Sequence, residues 1–340
     1  MTRSRRSGFA VATAVFALVV VGALAMGTLF AAGRELRSGT EVILQTRATM
    51  AAELGLEQTV AAWRTEWNAM ARGSSRASRH ATTEGVSVSV RVTRLADELY
   101  LVTSEARAGP ATRRVARVVM LDLRDPALLA TVTADTTAEL GGGEGVDGMD
   151  RSPPGWECAP PGAAIAPVAS ADTSAILRFA QFGWGELVRA ALIRVTPSLT
   201  GPAPTVSAEE CDITDPNNWG EPTRSIGGPC MSYYPLIHAP SDLVVDGGRG
   251  QGLLVVDGDL TLRGGFEFVG VVLVRGALRG DAGGARLTGV VAIAAQGSTP
   301  SSLDGISVTF SRCAARKALL GIASPVPIVD RSWYEAFEQP

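Results

Sequence analysis

The sequence predicts an α+β chain in which a long N-terminal transmembrane α-helix packs on an antiparallel β-meander, followed by a C-terminal β-rich module built as a short β-solenoid or a sandwich. Three observations predict it. Ser7 to Gly33 holds no charged side chain. Leu56, Val60, Trp63, Trp67 and Met70 recur at helical spacing, with no proline between Gly33 and Gly73. Glycine-punctuated β runs fill the chain from Ser241 onward.

Residues 1–8 read as a basic leader and 9–33 as the membrane segment. Each helical residue rises about 1.5 Å, so roughly 20 apolar residues cross a hydrocarbon core about 30 Å thick, and this run is longer. Arg3, Arg5 and Arg6 precede it with no acid, whereas Arg34, Glu35, Arg37 and Glu41 mix signs beyond it. A short basic arm favours the cytoplasmic side. The expectation is one pass through the inner membrane, with the N-terminus cytoplasmic and the bulk of the chain periplasmic or extracellular. A secretory signal cut near Ala23-Leu24-Ala25 is the competing reading, although signal cores usually span about 7–15 residues.

Residues 34–73 continue the helix. The stripe from Leu56 to Met70 advances in steps of four and three, which puts all five side chains on one face. An unbroken helix from Phe9 to Ala71 would be roughly 95 Å long. Residues 74–138 then form the meander, after a polar run to Glu84. Val86, Val88, Val90 and Val92 alternate with polar residues, the period-two signature of a half-buried strand, and Glu98–Ser104 and Arg113–Leu123 repeat the theme. The apolar face of this sheet needs a cover, and the helical stripe supplies one.

The leader Arg5-Arg6-Ser7-Gly8, the apolar run from Phe9 and the stretch Ala48-Thr49-Met50-Ala51-Ala52-Glu53-Leu54-Gly55-Leu56-Glu57 resemble the type IV pilin-like proteins, in particular minor pilins with a PilX-type N-terminal segment. The resemblance covers about the first 125 residues. It implies that a prepilin peptidase cuts after Gly8 and leaves Phe9 as the mature terminus. It also implies a role in pilus assembly, with other pilins or pseudopilins as partners through the N-terminal helix. Family members that build the bulk of a filament carry a glutamate five residues into the mature chain; Thr13 stands there in this sequence. That departure fits a minor or tip subunit, and the tip pseudopilin of a type II secretion system is the alternative.

Residues 139–157 hold Gly141 to Gly155, with glycines, acids and a proline pair, and read as a linker. Its Glu144, Asp147 and Asp150 are candidate calcium ligands, without EF-hand spacing. Residues 158–240 form an irregular region containing Cys158, Cys211 and Cys230, with one or two short helices between Asp172 and Arg194. Asp172, Thr173 or Ser174 can cap the first, Gly183 and Gly185 interrupt the pattern, and Trp184 reads as a core residue. Residues 241–325 form the β module, and 326–340 a tail. Leu254-Val255-Val256, Val272-Leu273-Val274 and Ala292-Ile293-Ala294 recur at steps of 18 and 20 residues, as rungs of a β-solenoid would. Four cysteines pair in three ways. Cys211 with Cys230 would close a short stretch, leaving Cys158 for Cys313; free buried thiols are the other possibility.

Little in the sequence points to chemistry. No G-x-S-x-G elbow is present, and the glycines of Gly247–Gly252 precede a strand where a phosphate-binding loop would open a helix. Asp257, Asp259 and Glu267 are scattered acids. A pair meeting across rungs would suit glycan hydrolysis, so a singly anchored envelope glycan-binding protein or hydrolase stays open as a third reading. The expectation is a non-enzyme with no cofactor and no metal, since His80 and His238 are far apart in sequence and no CxxC exists. The 31 basic and 34 acidic side chains give a net charge of -3, with no basic face interleaved with aromatics, so no nucleic-acid partner is expected.

Overall fold

The computed structural model describes residues 8–81, 85–123, 126, 128–136, 140–224, 228–281, 283–296, 299–328 and 333–335. Its first element is one α-helix, α1, Gly8–Ala61, of 54 residues and so about 80 Å long. It runs through Arg34 to Thr40 without interruption. Residues 11–43 are exposed almost throughout, and the most apolar stretch has a mean hydropathy of 2.4 with none of it buried.

The expected extension of α1 to residue 71 is corrected. The helix ends at Ala61, Arg64 is extended, and Thr65–Ala69 forms a short 3₁₀ turn. The cause is aromatic packing. Trp63 stands edge-on to both Trp67 and Tyr100, at ring distances of 5.0 and 5.2 Å, and donates from Nε1 to Asn68 Oδ1 at 2.7 Å. A straight helix would hold Trp63 and Trp67 along one axis-parallel stripe; the break lets both reach the sheet.

The meander has four consecutive antiparallel strands: β1 Ser75–Ala81, β2 Val86–Arg94, β3 Leu99–Ala108 and β4 Ala111–Leu121. The polar run expected to connect helix and sheet is therefore itself an edge strand, β1. Alternation places Val88, Val90, Val92, Tyr100, Val102, Ala106, Val115 and Val119 on the face that receives α1. The domain boundaries also shift. Within the expected C-terminal tail, 326–340, the described residues belong to the sheet, because Pro325–Pro327 and Trp333–Glu335 both pair antiparallel with β4. Ala130–Asp135, expected in the meander, leaves it for the second module.

That second module consists of two parallel sheets between which the chain alternates. In one, Leu236–Ala239, Arg249–Val256, Phe266–Val274, Ala285–Ile293 and Ile306–Phe310 follow one another in parallel; in the other, Leu243–Asp246, Leu260–Arg263, Leu278–Gly280 and Ser301–Ser302 do the same. An antiparallel sandwich is thereby excluded for this region. The expected rung register holds for one step and slips for the next: Leu254 aligns with Val272, but Val272 aligns with Val291, not Ala292.

The composition of the strands follows from which faces are covered. In the first sheet Leu254, Val256, Val272 and Val274 point to the core between the sheets, while Leu253, Val255, Val271 and Leu273 lie under the helix Arg312–Ala318, the turn Leu319–Ile322 and the helix Trp184–Ala190. With both faces buried the strands read as unbroken apolar runs. The second sheet is buried on one face only, so Leu260 and Leu262 alternate with the less buried Thr261 and Arg263.

Residues 139–157 are not a linker. Leu140–Gly141 and Val146–Asp147 add parallel strands to the two sheets beyond Ser301–Ser302 and Ile306–Phe310, so this segment completes the far end of the module. Ala166–Ala171 then lies beside Ala130–Asp135. The helical region between Asp172 and Arg194 is two short helices, Thr173–Ile176 and Trp184–Ala190, and Asp172 caps the first by accepting from Ala175 N at 3.0 Å.

Candidate functional site

The region of α1 that meets the sheet is a seat made by small residues. Ala48, Ala52, Gly55, Leu56 and Thr59 are buried at steps of four, three, one and three, one helical face. Leu56 is 1% exposed and its burial stabilises by about 2 kcal/mol. Gly55 marks the closest approach, since a Cβ there would stand 2.5 Å from Val88 Cγ1 and 3.0 Å from Ser104 Oγ. The sequence reading looked for large apolar side chains and so missed the alanine half of this stripe. Of the predicted face, Leu56 is buried and Val60 half-buried on α1, whereas Trp63 and Trp67 reach the sheet from beyond the helix and Met70 is buried after the turn.

The end of the meander away from the apolar helix is joined to the second module by polar groups. Asn68 donates from Nδ2 to the carbonyls of Leu320 and Ala323, at 2.8 and 3.0 Å. The Arg94 side chain is fully buried and its guanidinium donates to the carbonyls of Met70, Ala96 and Asp97. Asp97 accepts from Arg72 Nε at 3.0 Å and Lys317 Nζ at 2.6 Å. Burial pushes the Asp97 carboxyl up, but hydrogen bonds from Arg72 and Lys317 outweigh it and hold the group well below the usual carboxylate range. Burial pushes the Tyr100 hydroxyl up to about 12. Beside this network Cys158 is bonded to Cys313, and Cys211 to Cys230.

The remaining candidates fall as follows. Of the leader, residues 1–7 lie outside the described residues; Gly8 and Phe9 are the first turn of α1. Asp147 accepts from Met149 N and pairs with Arg151, and Asp150 accepts from the backbone of Gly162 and Arg312, while the Glu144 side chain lies outside the described residues. Asp147 thus fixes its own turn, while Asp150 ties this segment to the backbone at Gly162 and Arg312. The acids of the second module are also engaged: Glu267 pairs with Arg286, and Asp259 accepts from Ala277 N at 2.8 Å.

Asp257, scattered from any histidine in the sequence, meets one in the fold. His238 Nε2 is 2.8 Å from Asp257 Oδ2, and Trp184 Nε1 donates to Oδ1 at 2.6 Å. His238 lies on Leu236–Ala239 and Asp257, 19 residues later, directly follows the parallel neighbour strand Arg249–Val256, a juxtaposition that only the register reveals. Trp184 is in the core as expected. Among the described residues no group of three or more metal-binding side chains comes together.

No family model matches the chain, and no curated protein matches it. Among solved structures it is similar to the competence-associated pilin ComZ from Thermus thermophilus, with 13% identity over 86% of this chain and 98% of that one, at a TM-score of 0.26, too low to establish a common fold.

Proposed function

We propose that this chain is a membrane-anchored, pilin-like minor or tip subunit, inserted into a type IV pilus or related filament through α1 and displaying the parallel β module. One observation carries the reading: a single unbroken helix whose first half is apolar and bare and whose second half is seated on an antiparallel meander. Among the described residues none buries the bare half, and lipid or neighbouring helices would cover it. Thr13 in place of an acid leaves that half without a buried charge to register a neighbour, which suits a subunit present in few copies. The two parallel sheets are the walls of a short β-solenoid, a rigid platform that needs no catalysis to do its work.

In this reading a prepilin peptidase removes Met1 to Gly8, and the disulfides form after export to an oxidising compartment. Intact-mass measurement after coexpression with a prepilin peptidase tests it. The expected product begins at Phe9. A product beginning near Met26 would show a signal peptide and contradict the proposal.

A further inference from the structure

The charge of this chain is unevenly placed. Residues 9–121, helix and meander, carry thirteen arginines against nine acids, a net of +4, whereas residues 122–340 carry fifteen basic side chains against twenty-five acids, a net of -10. Much of the positive excess gathers at one end of the meander. The β3–β4 turn at Gly109 lies against Leu44 of α1, and Arg113 donates to Gln45 at 2.9 Å, so this end of the sheet faces the apolar half of the helix. The register places the last residue of β1 and the first of β2 at the same end, because Ala81 aligns with Ser87 and Val86 with Ala108. Arg79, Arg107, Arg113 and Arg114 stand there against Glu105 and against Glu335, which aligns with Val115. The helix below adds Arg34, Arg37 and Arg47 against Glu35 and Glu41, which brings the net of these seven arginines and four acids, all among the described residues, to +3.

We propose that this basic end of the meander is a docking surface for anionic phospholipid headgroups, which holds the head down on the membrane before the subunit is drawn into a filament. The inference rests on the membrane-anchored reading above. From Gly33 to Leu44 the helix climbs about 16 Å, of which the headgroup layer takes roughly 5–8 Å. The arginines therefore stand about one screening length, roughly 8–10 Å, above the lipid, and an ordinary helix tilt of about 20° lowers one side of the sheet into contact. Basic residues at this range are attracted to anionic leaflets without inserting. The parallel sheets of the acidic half are joined to the other end of the meander, through Asn68 and Lys317, and of the described residues of that half only the strand Trp333–Glu335 runs along β4 toward the basic end.

The test uses the full chain in lipid nanodiscs at one copy per disc. A donor fluorophore on Thr112→Cys, an exposed position beside the turn, reports transfer to a headgroup-labelled lipid; the four native cysteines are disulfide-bonded. The expected transfer is at least about 1.5-fold higher in discs with about one-third phosphatidylglycerol than in phosphatidylcholine alone, and falls back near about 1 M salt, where the screening length is about 3 Å. The triple variant R107Q, R113Q and R114Q loses the difference. Should that variant unfold, salt titration of the unsubstituted arginines decides alone. Equal transfer in both lipids overturns the proposal, and so does a gain that needs two copies per disc, which would assign the surface to a second chain's acidic module. A chain that does not co-elute with discs refutes the anchored reading itself, a failure distinct from equal transfer.

Discussion

The seat of α1 on the meander and the rungs of the parallel module are both tight, but different atoms make them so. At the seat, Gly55 faces side chains, Val88 and Ser104. In the module, Gly252, Gly270 and Gly289 align in consecutive rungs, with φ of 108°, 147° and 142°. A Cβ on Gly270 would stand 2.0 Å from the Gly252 carbonyl oxygen, and one on Gly289 only 1.8 Å from that of Gly270. Side chains can turn aside; a carbonyl held in a sheet ladder cannot. The helix junction therefore tolerates adjustment, whereas the module's rungs act as one unit.

The largest consequence is expected at the rungs. Gly270→Ala combines a disfavoured φ with a backbone clash, and it should cost about 4 kcal/mol, read as a lowered urea midpoint of the full chain in detergent. A loss below about 1 kcal/mol would mean that the rungs yield as side chains do. Next comes the junction between the two regions. Asp97→Asn leaves Lys317 and Arg72 without their shared carboxylate and should cost about 3 kcal/mol. The sign of its pH dependence is fixed. Because the folded carboxyl is held below its unfolded value near 3.9, its contribution is complete above about pH 4 and is lost as pH falls through the folded value. Unfolding midpoints that drop on acidification in the parent and much less in Asp97→Asn would bear this out. The smallest effect belongs to the seat, where Gly55→Ala should cost about 1–2 kcal/mol as Val88 gives way. A loss as large as that of Gly270→Ala would erase the contrast.

The same contrast governs what could be read from the sequence. The bare half of α1 and the valine strand β2 announce themselves through local composition, since a membrane run and a half-buried strand each obey a period visible in one stretch. The apolar triplets mark strands of the parallel sheet, because strands buried on both faces do not alternate. What stayed hidden depended on partners far away in sequence. The glycine- and acid-rich run at Gly141 looked like a linker, yet Leu140 and Val146 bond to strands more than 150 residues later. The stop at Ala61 follows from Trp63 reaching Tyr100, and the His238–Asp257 contact from a register that composition does not fix. Helix seats built from alanine leave no apolar stripe to find, which is why Ala48 and Ala52 went unrecognised.

The central claim is that one straight helix passes from lipid into protein. Spin labels placed singly at Phe16, Leu24, Glu41 and Leu54 of the full chain in nanodiscs test it by collision with oxygen and with a water-soluble nickel chelate, and labels placed in pairs between Leu24 and Leu54 test it by their distances. The account predicts oxygen-dominated exposure at Phe16 and Leu24, chelate-dominated exposure at Glu41 and Leu54, and helical spacing of label distances from Leu24 through Leu54. Chelate access at Phe16 and Leu24, or a Leu24-to-Leu54 distance well short of about 45 Å, would contradict it.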